Sequence, residues 1–178
     1  MRCWVLFPLI LLINISGAAS SKINISFIQA PKLIKVAKTL RDESVLRHSP
    51  SWYVYASVSN KFINTLYPIL LAYLNPQEKH CLQKDPNFFG AHISLSYQLP
   101  AEYRRFYWVN KARKFYFTPV ALKKVVILSK KYKTTWYALS VRSQGLLIID
   151  RDFHVPRRYQ ELHISIAKAR ETYTGVCL

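Results

Sequence analysis

The sequence is poor in glycine, with only 4 among 178 residues. That leaves no glycine-rich loop of the kind that brings backbone amides up to a nucleotide's phosphates. There is no G-x-S-x-G elbow to expose a nucleophilic serine, so a triad hydrolase of that design is not encoded. Histidine and cysteine are not spaced as zinc ligands, since His80 and Cys81 are neighbours and no further pair stands at ligand spacing. No metal and no other cofactor is expected. Acidic residues are few, 9 against 26 Lys and Arg, which gives a formal net charge of +17. A field of that sign favours a polyanionic partner, although charge alone does not separate nucleic acid from an anionic membrane surface or a polysaccharide. Past the N-terminus no apolar run approaches the roughly 20 residues needed to cross a bilayer. Low-complexity tracts are absent as well.

The N-terminus itself reads as a targeting segment. Met1-Arg2 supplies a positive start and Ser16-Gly17-Ala18-Ala19 the small residues that a signal peptidase requires. Between them, Trp4 to Ile15 is an apolar run of about 12 residues, too short for a span. This predicts a signal peptide over residues 1–19 and export of the mature chain, whether secreted, periplasmic or held in the lumen of the secretory pathway. Cys3 is lost with the leader. Cys81 and Cys177 remain as an even pair in an oxidising compartment. A disulfide between them would add on the order of 4 kcal/mol by closing a long loop, the alternative being two unrelated thiols. The chain beyond the leader has the length of one domain. We read residues 20–48 as a basic amphipathic helical extension and residues 49–178 as the domain proper.

Local patterns place the elements. Pro31 opens a helix in which Leu33, Val36, Ala37 and Leu40 are interleaved with Lys32, Lys35, Lys38 and Arg41. Packing on the domain suits it, and so does contact with a membrane surface. Residues 52–58 (WYVYASV) are strand formers, and Ser59-Asn60 caps a helix over 61–74 with Pro68 inside it. Residues 75–89 read as loop and 91–98 as a strand. A helix over 101–114 interleaves Arg104, Arg105, Lys111 and Arg113 with Tyr103, Phe106, Tyr107 and Trp108. Strands come next at 115–117, 122–128 and 134–141, the last two forming a hairpin. GLLIID, residues 145–150, fits a short helix or a strand, and a strand at 162–167 ends the pattern. Most strands adjoin turns rather than crossover helices, so the class is α+β with mainly antiparallel sheets.

Two of these strands repeat one arrangement: Ala91-His92-Ile93-Ser94-Leu95 and Leu162-His163-Ile164-Ser165-Ile166. Alternate side chains of a strand share a face, so each copy presents an imidazole and a hydroxyl on one side and aliphatic residues on the other. An imidazole changes charge near neutrality, and a hydroxyl can donate to a phosphate oxygen. Two facing copies would make a complete acid–base site. The competing reading is two structural histidines on half-buried strands. With ordinary residue frequencies, two such copies among a handful of histidines arise by chance on the order of once in a hundred sequences.

With the order of elements around them, these motifs resemble the 2H phosphoesterases, a superfamily defined by two His-x-Ser/Thr strands on pseudo-symmetric lobes. The resemblance covers residues 51–167. Within the superfamily it is greatest to the branch that trims the 3′ ends of spliceosomal small nuclear RNA, through SWYVYASVSNKF, HISLS, YWVNKARKFYFTP, TTWYALSV and HISIA. It implies a bilobal fold whose mainly antiparallel sheets flank a central cleft, and metal-independent cleavage of an RNA or nucleotide phosphodiester. By motif, His92 and His163 are the general acid and base, and Ser94 and Ser165 hold the phosphate. Expected substrates are RNA 3′ ends or 2′,3′-cyclic phosphates, handled by a monomer.

The chain departs from the branch in its shortened second lobe and in carrying Arg157 where a base-stacking aromatic is expected, with Tyr159 two residues later. Base preference is therefore not carried over. Tyr97, Trp136 and Tyr159 are candidates for stacking on a base, and Arg157 and Arg158 for contacting phosphate. His48, His80 and His154 read as ordinary loop or surface histidines. Asn24-Ile25-Ser26 is a glycosylation sequon. Two other functions stay open: a catalytically inactive 2H-like module binding nucleotides or polyanions, and a basic protein acting at membranes through the 31–41 helix.

Overall fold

Strands with one apolar face assemble into a single sheet in the computed structural model, which describes residues 22–84, 89–153 and 161–178. The leader, and with it the sequence-predicted cleavage site, lies outside the described residues, as do His154, Arg157, Arg158 and Tyr159. In chain order the elements are β1 (Lys22–Ile28), α1 (Pro31–Ala37), β2 (Glu43–His48), β3 (Val54–Val58), α2 (Lys61–Leu71), α3 (Pro76–Lys79) and β4 (Leu82–Lys84). Then come β5 (His92–Ser96), a 3₁₀ turn (Ala101–Tyr103), α4 (Arg104–Asn110), β6 (Lys114–Tyr116), β7 (Thr118–Leu128), β8 (Tyr132–Arg142), α5 (Gln144–Phe153) and β9 (His163–Thr172).

The strands run β1-β7-β8-β9-β5-β3-β2-β6, with β4 also on β9. Every pairing between these strands is antiparallel, in keeping with an α+β class of mainly antiparallel sheet. The order puts the two motif strands, β5 and β9, side by side at the middle. They meet through one residue pair, Ile93↔Ile164, and β4 takes over along β9 from Ala167 onward. Each half of the sheet is knitted more densely, with β7–β8–β9 in register over most of their length and β3–β5 paired from Val54 to Ser57. The expected two sheets are thus one sheet, narrowed at a seam.

Residues 22–48 contribute two strands as well as the helix. β1 pairs with β7 from Lys22↔Leu128 to Ile28↔Leu122, and β2 lies between β3 and β6. KINISFI carries the alternation of a strand, but its apolar Ile23, Ile25 and Phe27 remain exposed on the sheet edge. The helix is shorter than its pattern, ending at Ala37. Residues 75–89 hold α3, closed by an Asn75–Glu78 capping box, and β4. The segment GLLIID is helical, within α5. Pro68 does not break α2, because it sits on the exposed side while Phe62, Ile63, Leu66 and Leu70 face inward.

α1 and α2 pack against β7 and β9, over a core in which Leu33, Leu66, Leu70, Ile93, Leu122, Leu139 and Ile164 are fully buried. Since side chains alternate along a strand, the residues between these core positions point to the opposite face. No helix among the described residues is long and apolar enough to cross a membrane. Cys81 and Cys177 lie at disulfide distance with Cα atoms 5.1 Å apart, which fastens the start of β4 to the tail beyond β9.

Candidate functional site

The Ile93↔Ile164 pair fixes the register of the two motifs. Moved one residue either way along antiparallel strands, that register sets His92 across from Ser165 and Ser94 across from His163. All four side chains lie on the face away from the helices, and the imidazoles sit on a diagonal close enough for the charge of His163 to be felt at His92. These are the four residues singled out from the sequence, and the sheet brings them together on one face.

Each imidazole is anchored the same way. His92 Nδ1 donates to Gly90 O at 2.8 Å and His163 Nδ1 donates to Glu161 O at 3.1 Å, in both cases the carbonyl two residues upstream. A carbonyl only accepts, so Nδ1 carries the hydrogen in the neutral ring and Nε2 is left as the basic nitrogen. Gly90 is needed for this anchor. Its φ is +68°, and a Cβ there would come within 2.6 Å of Asn60 Oδ1, the atom that accepts from Ala91 N.

Burial holds both imidazoles below their ordinary pKa. For His92 desolvation is the main cause and the neighbouring His163 adds to it, while the bond to Gly90 opposes it. For His163 desolvation leads again, followed by the charge of Lys123. Both rings are therefore chiefly neutral in the free protein at neutral pH, and an anion in the site would favour a proton on one of them.

Tyr53 is the site residue that the sequence reading missed. Its hydroxyl lies 2.7 Å from His92 Nε2 and 2.6 Å from Ser94 Oγ. With His92 neutral, Tyr53 donates to Nε2 and Ser94 donates to Tyr53; protonating His92 reverses the chain. Tyr53 is held by the turn before β3, where its amide donates to Ser49 Oγ and its carbonyl accepts from Ser49 N. That turn forces Trp52 to a φ of +57°, sustained by its stack on His48 at 4.4 Å and by Arg104 over the ring at 4.2 Å. The signal was present in WYVYASV, where Tyr53, Tyr55 and Ser57 alternate with buried Val54, Ala56 and Val58. The hydroxyls mark the face shared with His92, which pairs with Ser57, and Ser94, which pairs with Tyr55.

Aromatic rings wall this end. Tyr97, 40% exposed, stacks on Tyr53 at 4.7 Å, and Tyr55 and Phe89 pack around Tyr53 and His92. Tyr97 thus stands at the edge of the site with part of its surface open to solvent. Trp136 shares the face on β8, but Lys168 covers its ring at 4.6 Å. Among the basic residues near α4, Arg104, Lys111 and Arg113 lie over Trp52, Trp108 and Phe115, so packing uses part of that charge. Arg47 flanks the site on β2, paired with Tyr55.

Among the described residues, the group with metal-ligand donors brought together is His80, Cys81 and Cys177, within 4.8 Å of one another. Their two sulfurs are at disulfide distance from each other, and a disulfide offers no thiolate to a metal.

Compared with protein-family models, with curated proteins and with solved structures, the chain matches none.

Proposed function

We propose that this protein is an exported, metal-independent phosphodiesterase of the 2H type, cleaving RNA 3′ ends or 2′,3′-cyclic phosphates. The observation that carries the reading is the Ile93↔Ile164 seam, which sets two His-x-Ser copies against each other with matching Nδ1 anchors. Two half-sheets joined at that seam also fit the bilobal 2H architecture. In the reaction, the neutral imidazole takes a proton from the attacking 2′-hydroxyl or water. The other imidazole, protonated, gives its proton to the leaving oxygen. Ser94 and Ser165 donate to the non-bridging phosphate oxygens. The apolar leader and the Cys81–Cys177 pair support an exported protein.

One observation favours a second reading, a module that binds nucleotides without turnover. Tyr53 already engages both His92 Nε2 and Ser94 Oγ, the atoms a substrate would use.

Incubating the mature protein in EDTA with short RNAs and with cyclic-phosphate ends separates the two. Turnover is expected, lowered by roughly 100-fold or more in His92→Ala and in His163→Ala, with the double variant little worse than either. Turnover that vanishes in EDTA and returns with a divalent ion overturns the mechanism. Turnover unchanged in both single variants, with circular dichroism intact, overturns the assignment of the histidines.

A further inference from the structure

Beside His163, on the face that carries both motifs, lies a cation with an unusual setting. Lys123 pairs across β7 and β8 with Ala138, which in turn pairs with Ser165, so the three stand in one row. Lys123 is 8% exposed. Lysine is rarely buried so far without a partner. Its partner is Glu161, whose carboxylate folds onto Nζ although the Glu161 side chain is itself 62% exposed. Ala138 contributes only a methyl group between Lys123 and Ser165, which leaves the lysine side chain room to lie toward the motif. The charge reaches His163, where it opposes protonation.

A second, independent feature points to the same spot. Ser140 pairs with His163 across β8 and β9 and is 8% exposed, yet its Oγ has no hydrogen-bond partner among the described residues. A buried hydroxyl without a partner gives up the hydrogen bonds it would make in water, so a ligand that supplies an acceptor there is favoured. Here it lies next to the imidazole and on the face of the buried ammonium.

We propose that Lys123 and Ser140 form an anion-binding position next to His163, that the Glu161 carboxylate fills it in the free protein, and that a substrate phosphate displaces Glu161 to pair with Lys123. This rests on the phosphodiesterase reading for the identity of the anion, and on the geometry alone for the position. Chemically it supplies what two imidazoles and two hydroxyls lack, a fixed positive charge against the phosphate. Glu161 is suited to exchange, because an exposed carboxylate returns to water at little cost while Lys123 stays buried and charged.

The test uses variants with opposite expected signs. Inorganic phosphate and a nucleoside 3′-monophosphate are titrated into the mature protein by calorimetry, alongside kinetics on a cyclic-phosphate substrate. Lys123→Met should weaken phosphate binding by about tenfold or more, and Lys123→Arg should restore most of it. Ser140→Ala should weaken it by about threefold to tenfold. Glu161→Gln should instead tighten it and lower KM, since the competing carboxylate is gone while the backbone carbonyl that anchors His163 remains. A merely structural ion pair would not give opposite signs for its two partners. Weaker or unchanged binding in Glu161→Gln, or wild-type phosphate affinity in Lys123→Met, overturns the proposal. The expected binding pattern in a protein that turns over no phosphodiester upholds the anion position and removes the catalytic reading instead.

Discussion

Ile93 packs against Ile164 at the single residue pair through which one half of the sheet passes into the other, and both side chains are fully buried. A hydrophobic contact on the far side of the sheet thus lies directly behind the two imidazoles, and if it sets their spacing, weakening it should be felt in the rate. Ile93→Val should lower stability by about 1 kcal/mol and leave turnover near wild type, whereas Ile93→Ala should lower it by about 2–5 kcal/mol. At temperatures where the alanine variant is folded, its turnover should fall too, because the strands are no longer held at one separation. Urea unfolding with parallel rate measurements checks this. Full turnover in folded Ile93→Ala would show that the seam does not set the spacing.

Tyr53 gives a cleaner separation of catalysis from binding. Removing its hydroxyl takes away a bond to Nε2 of His92 and one to Ser94 while leaving the ring among Tyr55, Phe89 and Tyr97. If the hydroxyl orients His92 for proton transfer, Tyr53→Phe should lower kcat by about tenfold with little change in KM. If it merely plugs a binding cleft, nucleotide affinity should rise and no rate should respond.

Acid should destabilise the fold through the two histidines. Both have folded pKa values lowered chiefly by burial, so the unfolded chain binds more protons than the folded one just below imidazole's ordinary value of about 6.5. The stability they allow is whole above that value and falls as the pH drops from it through the folded pKa values. Urea midpoints should decline between about pH 7.5 and pH 5.5, and less so in a His92→Gln, His163→Gln double variant. Equal declines in the two proteins would assign the loss to other groups.

Both the motif strands and the class of the sheet were legible in the sequence because each rests on local alternation. AHISLS and LHISIA display their imidazole and hydroxyl by parity alone, and parity does not depend on the neighbours. What joins them was not legible. Nothing in Ile93 or Ile164 distinguishes a seam from any other buried pair, and the bond from Tyr53 spans 39 positions of chain. β1 escaped notice for a different reason: an edge strand that leaves Ile23, Ile25 and Phe27 exposed does not display the buried face by which strands are recognised. Lys123 carries no local mark that separates it from the chain's other lysines. Its burial comes from pairing with Ala138 and from Glu161, neither of which adjoins it in sequence.

Reduction should weaken the fold more than the chemistry. The pair Cys81 and Cys177 closes a loop of separation 96, for which the chain-entropy argument gives a stabilisation of about 4 to 5 kcal/mol, and neither sulfur touches the motifs. Thermal midpoints should drop on treatment with a dithiol, while turnover in the cold changes by less than about twofold. Two free thiols found by mass spectrometry in the purified protein would remove the premise.

That same link makes the chain a covalent ring from Cys81 to Cys177 with both histidines inside it. A protease that cuts once anywhere within the ring opens it without releasing either piece. The severed ends stay tethered, His92 and His163 remain in one molecule, and the pieces part only when the sulfurs are reduced. Wherever the sulfurs stay oxidised, a first cleavage is then a survivable event rather than the end of the site.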